Sequence, residues 1–158
     1  MYAVIRVRGH SKIKRNALET LEQLQLRHVN HMVLLQENET TKRMLQSVKD
    51  YVTWGELSAE ALGTVLVSSA RFEGNRKVGG QELTEKFKKD APGVASSVVS
   101  GESALSDFNI KRVVRLHPPR KGWEAIKKSY RAGGSLGYRG KDINTLIERM
   151  LPEKAGVQ

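Results

Sequence analysis

The string in this chain that most invites a chemical reading is Gly-Gly-Ser-Leu-Gly-Tyr-Arg-Gly-Lys at 133–141. A nucleotide phosphate loop places four residues between its glycines, and a Ser or Thr follows its lysine to hold magnesium. Here five residues separate Gly134 from Gly140, and Lys141 is followed by Asp142. The string therefore reads as backbone that can lie close to phosphates and sugars while Tyr138, Arg139 and Lys141 reach outward. Charge reversal at Arg139 and Lys141 is accordingly expected to weaken binding to a polyanion and leave unfolding unchanged.

A second anion-seeking stretch is Arg8-Gly9-His10-Ser11-Lys12-Ile13-Lys14-Arg15, between an expected strand and a helix N-terminus. Lys12, Lys14 and Arg15 suit contacts to an RNA backbone. An acyl-phosphate enzyme built on this loop would leave the rest of the positive charge without a role. His28 and His31 form an HxxH pair, but with no cysteine and two other histidines no zinc set can be assembled. Glu37 and Glu39 sit in a polar turn where they favour a helix dipole. No HExxH, GxSxG or Cys/His arrangement is present, so no enzyme, cofactor, metal or small-molecule substrate is expected.

The charge pattern supports a polyanionic partner. The chain has 158 residues, 27 Lys and Arg against 17 Asp and Glu, and a net charge of +10. Residues 1–57 carry a net +3, residues 58–110 a net −1, and residues 111–158 a net +8. Between 111 and 141 there are ten basic residues and a single acid, Glu124. A solubilising surface intersperses both signs, whereas this asymmetry is the footprint of a nucleic-acid-binding segment. Arg120, Lys121, Lys127, Lys128 and Arg131 join Arg139 and Lys141 as the cations expected to contact RNA. Trp123, Tyr130 and Tyr138 are interleaved with them: bases can stack on such rings, or the rings can anchor the segment to a core. Tyr138, flanked by glycines, is the better stacking candidate. The first residues alternate and are charged, unlike a signal or transit peptide, and the longest apolar stretch, 61–67, is too short to span a bilayer. A soluble, basic, intracellular protein is expected.

The elements that must position these groups are clearest in residues 1–57. Ala3, Ile5 and Val7 alternate with Val4, Arg6 and Arg8, predicting a strand with one buried face. Ala17, Leu18, Leu21 and Leu24 follow at helical spacing, residues 32–35 read as a strand, and Met44, Leu45 and Val48 mark a second helix capped near Asn38. Residues 51–54 supply a third strand. Two helices on one face of a small sheet make a β-α-β-α-β, ferredoxin-like α+β core. Residues 58–110 read as a mostly helical extension: a helix capped by Ser58 and running through Leu66, broken or kinked near Gly63, a basic-tipped loop at 74–80, and helices around Leu83–Phe87 and Val94–Val99. Its near-neutral charge points to packing on the core or against protein. In residues 111–158, a strand at 111–116 ends at Pro118-Pro119, and five glycines from 120 to 141 predict an extended loop. Ile143, Leu146, Ile147 and Met150 then predict a helix that docks on the core and tethers that loop, which is expected to order only on binding.

Leu-His-Pro-Pro-Arg-Lys-Gly-Trp at 116–123 and the run from Gly133 to Leu151 carry a resemblance. With the first third, they resemble the ribosomal large-subunit protein thirty family in its longer archaeal and eukaryotic form. The chain starts directly at its first strand, without a long basic N-terminal extension, which is similar to an archaeal member. The resemblance implies a structural, non-catalytic constituent of the large subunit in the cytoplasm. It implies binding to large-subunit ribosomal RNA, including the 5S region, beside neighbouring ribosomal proteins. A non-ribosomal RNA-binding or ribosome-assembly factor is the alternative.

Overall fold

The computed structural model describes residues 1–152. It is an α+β protein built on one six-stranded sheet with strand order β4-β2-β1-β3-β6-β5. The first segment forms the expected rhythm: β1 (Tyr2–Arg6), α1 (Arg15–Gln23), β2 (His31–Leu35), α2 (Glu39–Ser47) and β3 (Val52–Glu56). β1 runs antiparallel to both β2 and β3, with Val4 opposite Val33 on one side and Trp54 on the other. The side-chain period of two then sorts this strand between two cores. Tyr2 and Val4 join Ala17, Leu21, Leu45 and Val48 under α1 and α2. Ala3 and Ile5 join a larger cluster on the opposite face. The Asn38 side chain caps α2 by accepting the Thr41 N–H at 2.7 Å.

The larger cluster explains why β1 is buried on both faces, where the sequence predicts only one. Residues 58–110 supply α3 (Ala59–Ser68), α4 (Gly80–Phe87) and α5 (Ala91–Val99). Leu62, Val65 and Leu66 of α3 pack with Val94, Ala95 and Val98 of α5 against the sheet. Ser58 caps α3 as expected, accepting the Ala61 N–H at 3.2 Å. The helix runs through Gly63 unbroken, with α5 packed beside it: a Cβ there would lie 3.9 Å from Ala95 and Pro92, in ordinary contact. Pro92 lies in the first turn of α5, where its missing N–H is tolerated, so it helps start a helix.

Residues 111–152 complete the same sheet. β4 (Val114–Arg115) pairs with β2 at one edge, and β5 (Ala125–Ser129) and β6 (Gly134–Tyr138) extend the other. Residues 116–124 must therefore cross from edge to edge. They do so along the end of α6 (Ile143–Met150), where His117 and Arg120 N–H groups donate to the Met150 and Arg149 carbonyls. All four stripe residues of α6 are buried.

The expectation of an irregular loop over 120–141 is thus corrected. β6 pairs in parallel with β3, Thr53 lying opposite Gly137. Gly134 is required by the protein's own backbone, since a Cβ there would lie 2.1 Å from the Lys128 carbonyl oxygen. The glycines and cations that pointed to a loop are compatible with strands here because the edge is exposed: every residue of β5 faces solvent.

Candidate nucleic-acid interface

The cations picked from the sequence fall into separate groups. Lys12 and Lys14 are exposed in the loop after β1, and Lys12 adopts a left-handed conformation (φ 56°). Lys14 precedes α1 with no side-chain cap, so the first-turn N–H groups stay open beside it. Arg15 is exposed and pairs with Glu19 at 3.2 Å, an i,i+4 contact that solvent screens. Arg8 is engaged within the fold, its guanidinium 5.7 Å from the centre of the Tyr51 ring.

Arg120 and Lys121 lie exposed on the crossing segment. Arg120 Nη2 donates to the Glu148 carbonyl at 3.1 Å, and Arg149 donates back to the Arg120 and Gly122 carbonyls. Arg149 also pairs with Glu124 at 3.8 Å. The segment is therefore tied to α6 by hydrogen bonds and an ion pair. Trp123 packs on the larger core, which assigns it the anchoring role.

Lys127 and Lys128 project from β5, and Arg131 sits in the 3₁₀ turn Tyr130–Ala132. All three are exposed. The Tyr130 hydroxyl donates to Asp142, and that bond, first, with burial behind it, raises the tyrosine's pKa. Tyr130 is thus an anchor as well.

Tyr138 is 41% exposed. Its ring meets Trp54 at 6.3 Å and Tyr2 edge-on at 6.4 Å. Its hydroxyl donates to Glu56, and this hydrogen bond, with burial and the carboxylate's charge, pushes its pKa up to about 12. Tyr138 stays protonated and held, with part of its ring open to solvent.

Arg139 departs from the expectation of an outward-reaching contact. It is 7% exposed, its Nε donates to Thr53 Oγ1 at 2.8 Å, and its Nη2 donates to the Ser135 carbonyl at 2.9 Å. The guanidinium lies 4.8 Å from the Tyr130 ring centre, and burial lowers its pKa. Arginine tolerates such sites because a planar, weakly hydrated cation can satisfy several acceptors and a ring face together. Arg139 therefore knits β6 to β3, and its neighbour Lys141 is the exposed cation. Lys141 and the Lys12–Arg15 group lie at opposite ends of the sheet. β1 ends at Arg6 opposite Val52, whereas Tyr138 follows the register toward Glu56.

A basic concavity was not singled out by sequence reasoning. Arg27, Arg71, Lys111 and Arg115 gather with His28 and His31 around about 350 Å³ at the start of β2. They come from three separated segments, so no local spacing announced them. The two histidine rings meet edge-on at 5.2 Å. Among the described residues no group of three or more His, Asp or Glu is placed to hold a metal, and no helix is long and apolar enough to cross a membrane.

Comparison with known proteins decides the lineage. The family model described as ribosomal protein L30p/L7e matches residues 2–52, the β1-to-β3 unit. The chain is 50% identical over 158 residues to a large ribosomal subunit protein uL30 of Thermoplasma volcanium, covering 96% of this chain and 93% of that protein. It is 45% identical over 152 residues to one of Methanobrevibacter smithii, covering 96% and 100%. The chain belongs to the ribosomal protein L30p/L7e family. Membership extends past the matched unit, because the archaeal relatives align across α3 to α6 as well. The L30p/L7e unit supplies the central strands and one helical layer. The exposed cations of 120–141 stand on what residues 111–152 add to it.

Proposed function

We propose that this chain is a structural constituent of the large ribosomal subunit and binds ribosomal RNA through its basic surface, without catalysis. The observation that carries this reading is the exposure of Lys127, Lys128, Arg131 and Lys141 around the β5–β6 edge, in a chain whose relatives are large-subunit proteins. Lysines and arginines on fixed backbone neutralise phosphates and release counterions, and the fold sets their register on a folded RNA. Lys12, Lys14 and Arg15 at the open N-terminus of α1, and Arg120 and Lys121 on the crossing segment, add contacts. Tyr138 offers a ring for an unpaired base. The partners are large-subunit ribosomal RNA, the 5S RNA and neighbouring ribosomal proteins, in the cytoplasm.

The test is sedimentation of tagged protein from its native lysate at low salt and after a high-salt wash. Co-migration with mature large subunits that survives the wash is the expected result. A free pool, or association only with immature particles, would instead establish an assembly factor.

A further inference from the structure

The concavity beside β2 holds an excess of positive charge that the fold leaves unanswered. Arg27, Arg71, Lys111 and Arg115 line it, and no carboxylate does. Among the described residues none of the four forms an ion pair. Arg71 Nη1 donates to the Asn75 carbonyl at 3.0 Å, and Lys111 Nζ reaches Asn75 Oδ1 at 3.5 Å, so two of the cations are oriented by one loop.

A fifth cation stands behind the wall. Arg6 is 0% exposed, with Nε donating to the Arg8 carbonyl at 2.9 Å and Nη1 to those of Leu26 and Arg27 at 2.8 and 3.0 Å. Its Nη2 has no partner, and neither do the buried Asn30 Oδ1 and His31 Nδ1. Of these three groups His31 lines the concavity itself, while Arg6 is tied to the wall through the Arg27 carbonyl and Asn30 donates its N–H to the Arg6 carbonyl at 2.9 Å. Converging cations and orphaned buried polar atoms are unfavourable in a resting fold, and such violations of packing rules collect at binding sites.

We infer that this concavity is a phosphate-binding site. Guanidinium forks match the oxygens of a phosphate group in paired hydrogen bonds, and three arginines with a lysine supply both the donors and the charge. The volume exceeds what a lone phosphate fills, leaving room for an attached sugar. The ring of His28 lies 6.2 Å from that of His10, which joins the site to the Lys12–Lys14 loop at the same end of the sheet. A nucleic-acid strand following that loop would seat a backbone phosphate here. That source rests on the RNA-binding reading above, whereas the phosphate chemistry does not.

The experiment titrates the full-length ¹⁵N-labelled protein with inorganic phosphate, with sodium chloride at matched ionic strength as reference. Arginine Nε–Hε and histidine side-chain resonances are followed. Phosphate is expected to shift Arg71, Arg115 and His31 with a dissociation constant of about a millimolar. Arg71→Gln/Lys111→Gln, both exposed positions, should abolish the shifts while the melting curve is retained. In parallel, the salt dependence of ribosomal RNA binding is measured for the same variant, and a slope shallower by about two identifies the RNA backbone as the source. Phosphate shifts with an unchanged RNA slope identify a free phosphate as the ligand. Shifts no larger than those from sodium chloride overturn the site. Absence of RNA binding by the unaltered protein would overturn the RNA reading, and the phosphate titration would still decide the site.

Discussion

Arg139 Nε donates to Thr53 Oγ1 at 2.8 Å, and that hydroxyl in turn donates to the Gly137 carbonyl at 2.9 Å. The two bonds close a circuit between neighbouring strands, in which a charged side chain taken for a surface contact becomes part of the sheet. Hydrogen bonds to a charged donor are stronger than neutral ones, and losing the donor leaves buried acceptors unpaired. Arg139→Ala is therefore expected to lower unfolding free energy by about 2–3 kcal/mol in urea denaturation. Lys141→Glu, on an exposed turn, should change it by less than about 0.5 kcal/mol while weakening RNA binding. Equal stability losses for both would contradict the division between structural and surface cation.

The β5 lysines give the complementary result. Lys127→Gln/Lys128→Gln removes two exposed charges from an edge strand, so thermal unfolding should be nearly unchanged. If both meet phosphates, the dependence of log affinity on log salt becomes shallower by about two. Filter binding across a salt series reads this directly. An unchanged slope would place the RNA on another face.

Gly55 tests how residues 134–150 dock. A Cβ at this position would lie 1.9 Å from the Gly140 carbonyl oxygen and 3.0 Å from Ile143 Cβ. Backbone cannot yield as a side-chain end does, so Gly55→Ala should force α6 and the preceding turn away from β3. Destabilisation of about 2 kcal/mol or more is expected, with hydrogen exchange faster in β6 than in β1. Gly80→Ala is the control, since nothing lies within 4 Å of the added methyl and the site is helical.

His31 makes stability fall on the acid side. Burial first, then His28, Arg115 and Arg6, lower its pKa below the usual histidine value of 6.5. The unfolded chain therefore takes up a proton that the folded state resists. Unfolding is favoured progressively as pH drops below 6.5 toward the depressed folded value, and above 6.5 the effect vanishes. Urea midpoints at pH 7.5 and 5.5 should differ less in His31→Gln than in the unaltered protein. An identical difference in both would show that His31 does not carry it.

The amphipathic rhythm of the first segment was legible because each element has its own period. Leu21 and Leu45 face the sheet from α1 and α2, and all four stripe residues of α6 are buried. The strands of 120–141 were not legible. β5 is exposed throughout, and β6 carries Gly134 and Gly137 where apolar residues would have signalled a strand. Its pairing partner, β3, lies some eighty residues earlier, as the Thr53–Gly137 separation of 84 shows.

Composition and local spacing thus determined by themselves that the chain is basic, carries its charge late, and builds an α+β core with a docked last helix. Both follow from properties each residue carries with it: its charge, and its place in a period of 2 or 3.6. Which cations face outward was decided only by the tertiary structure. Arg6 and Arg139 differ from Lys127 and Lys141 in what surrounds them: carbonyls, a hydroxyl and a ring delivered from distant segments. The same long-range assembly brings Arg27, Arg71, Lys111 and Arg115 around one concavity. No sequence window contains that arrangement, because the acceptors and the neighbours exist only once the sheet has closed.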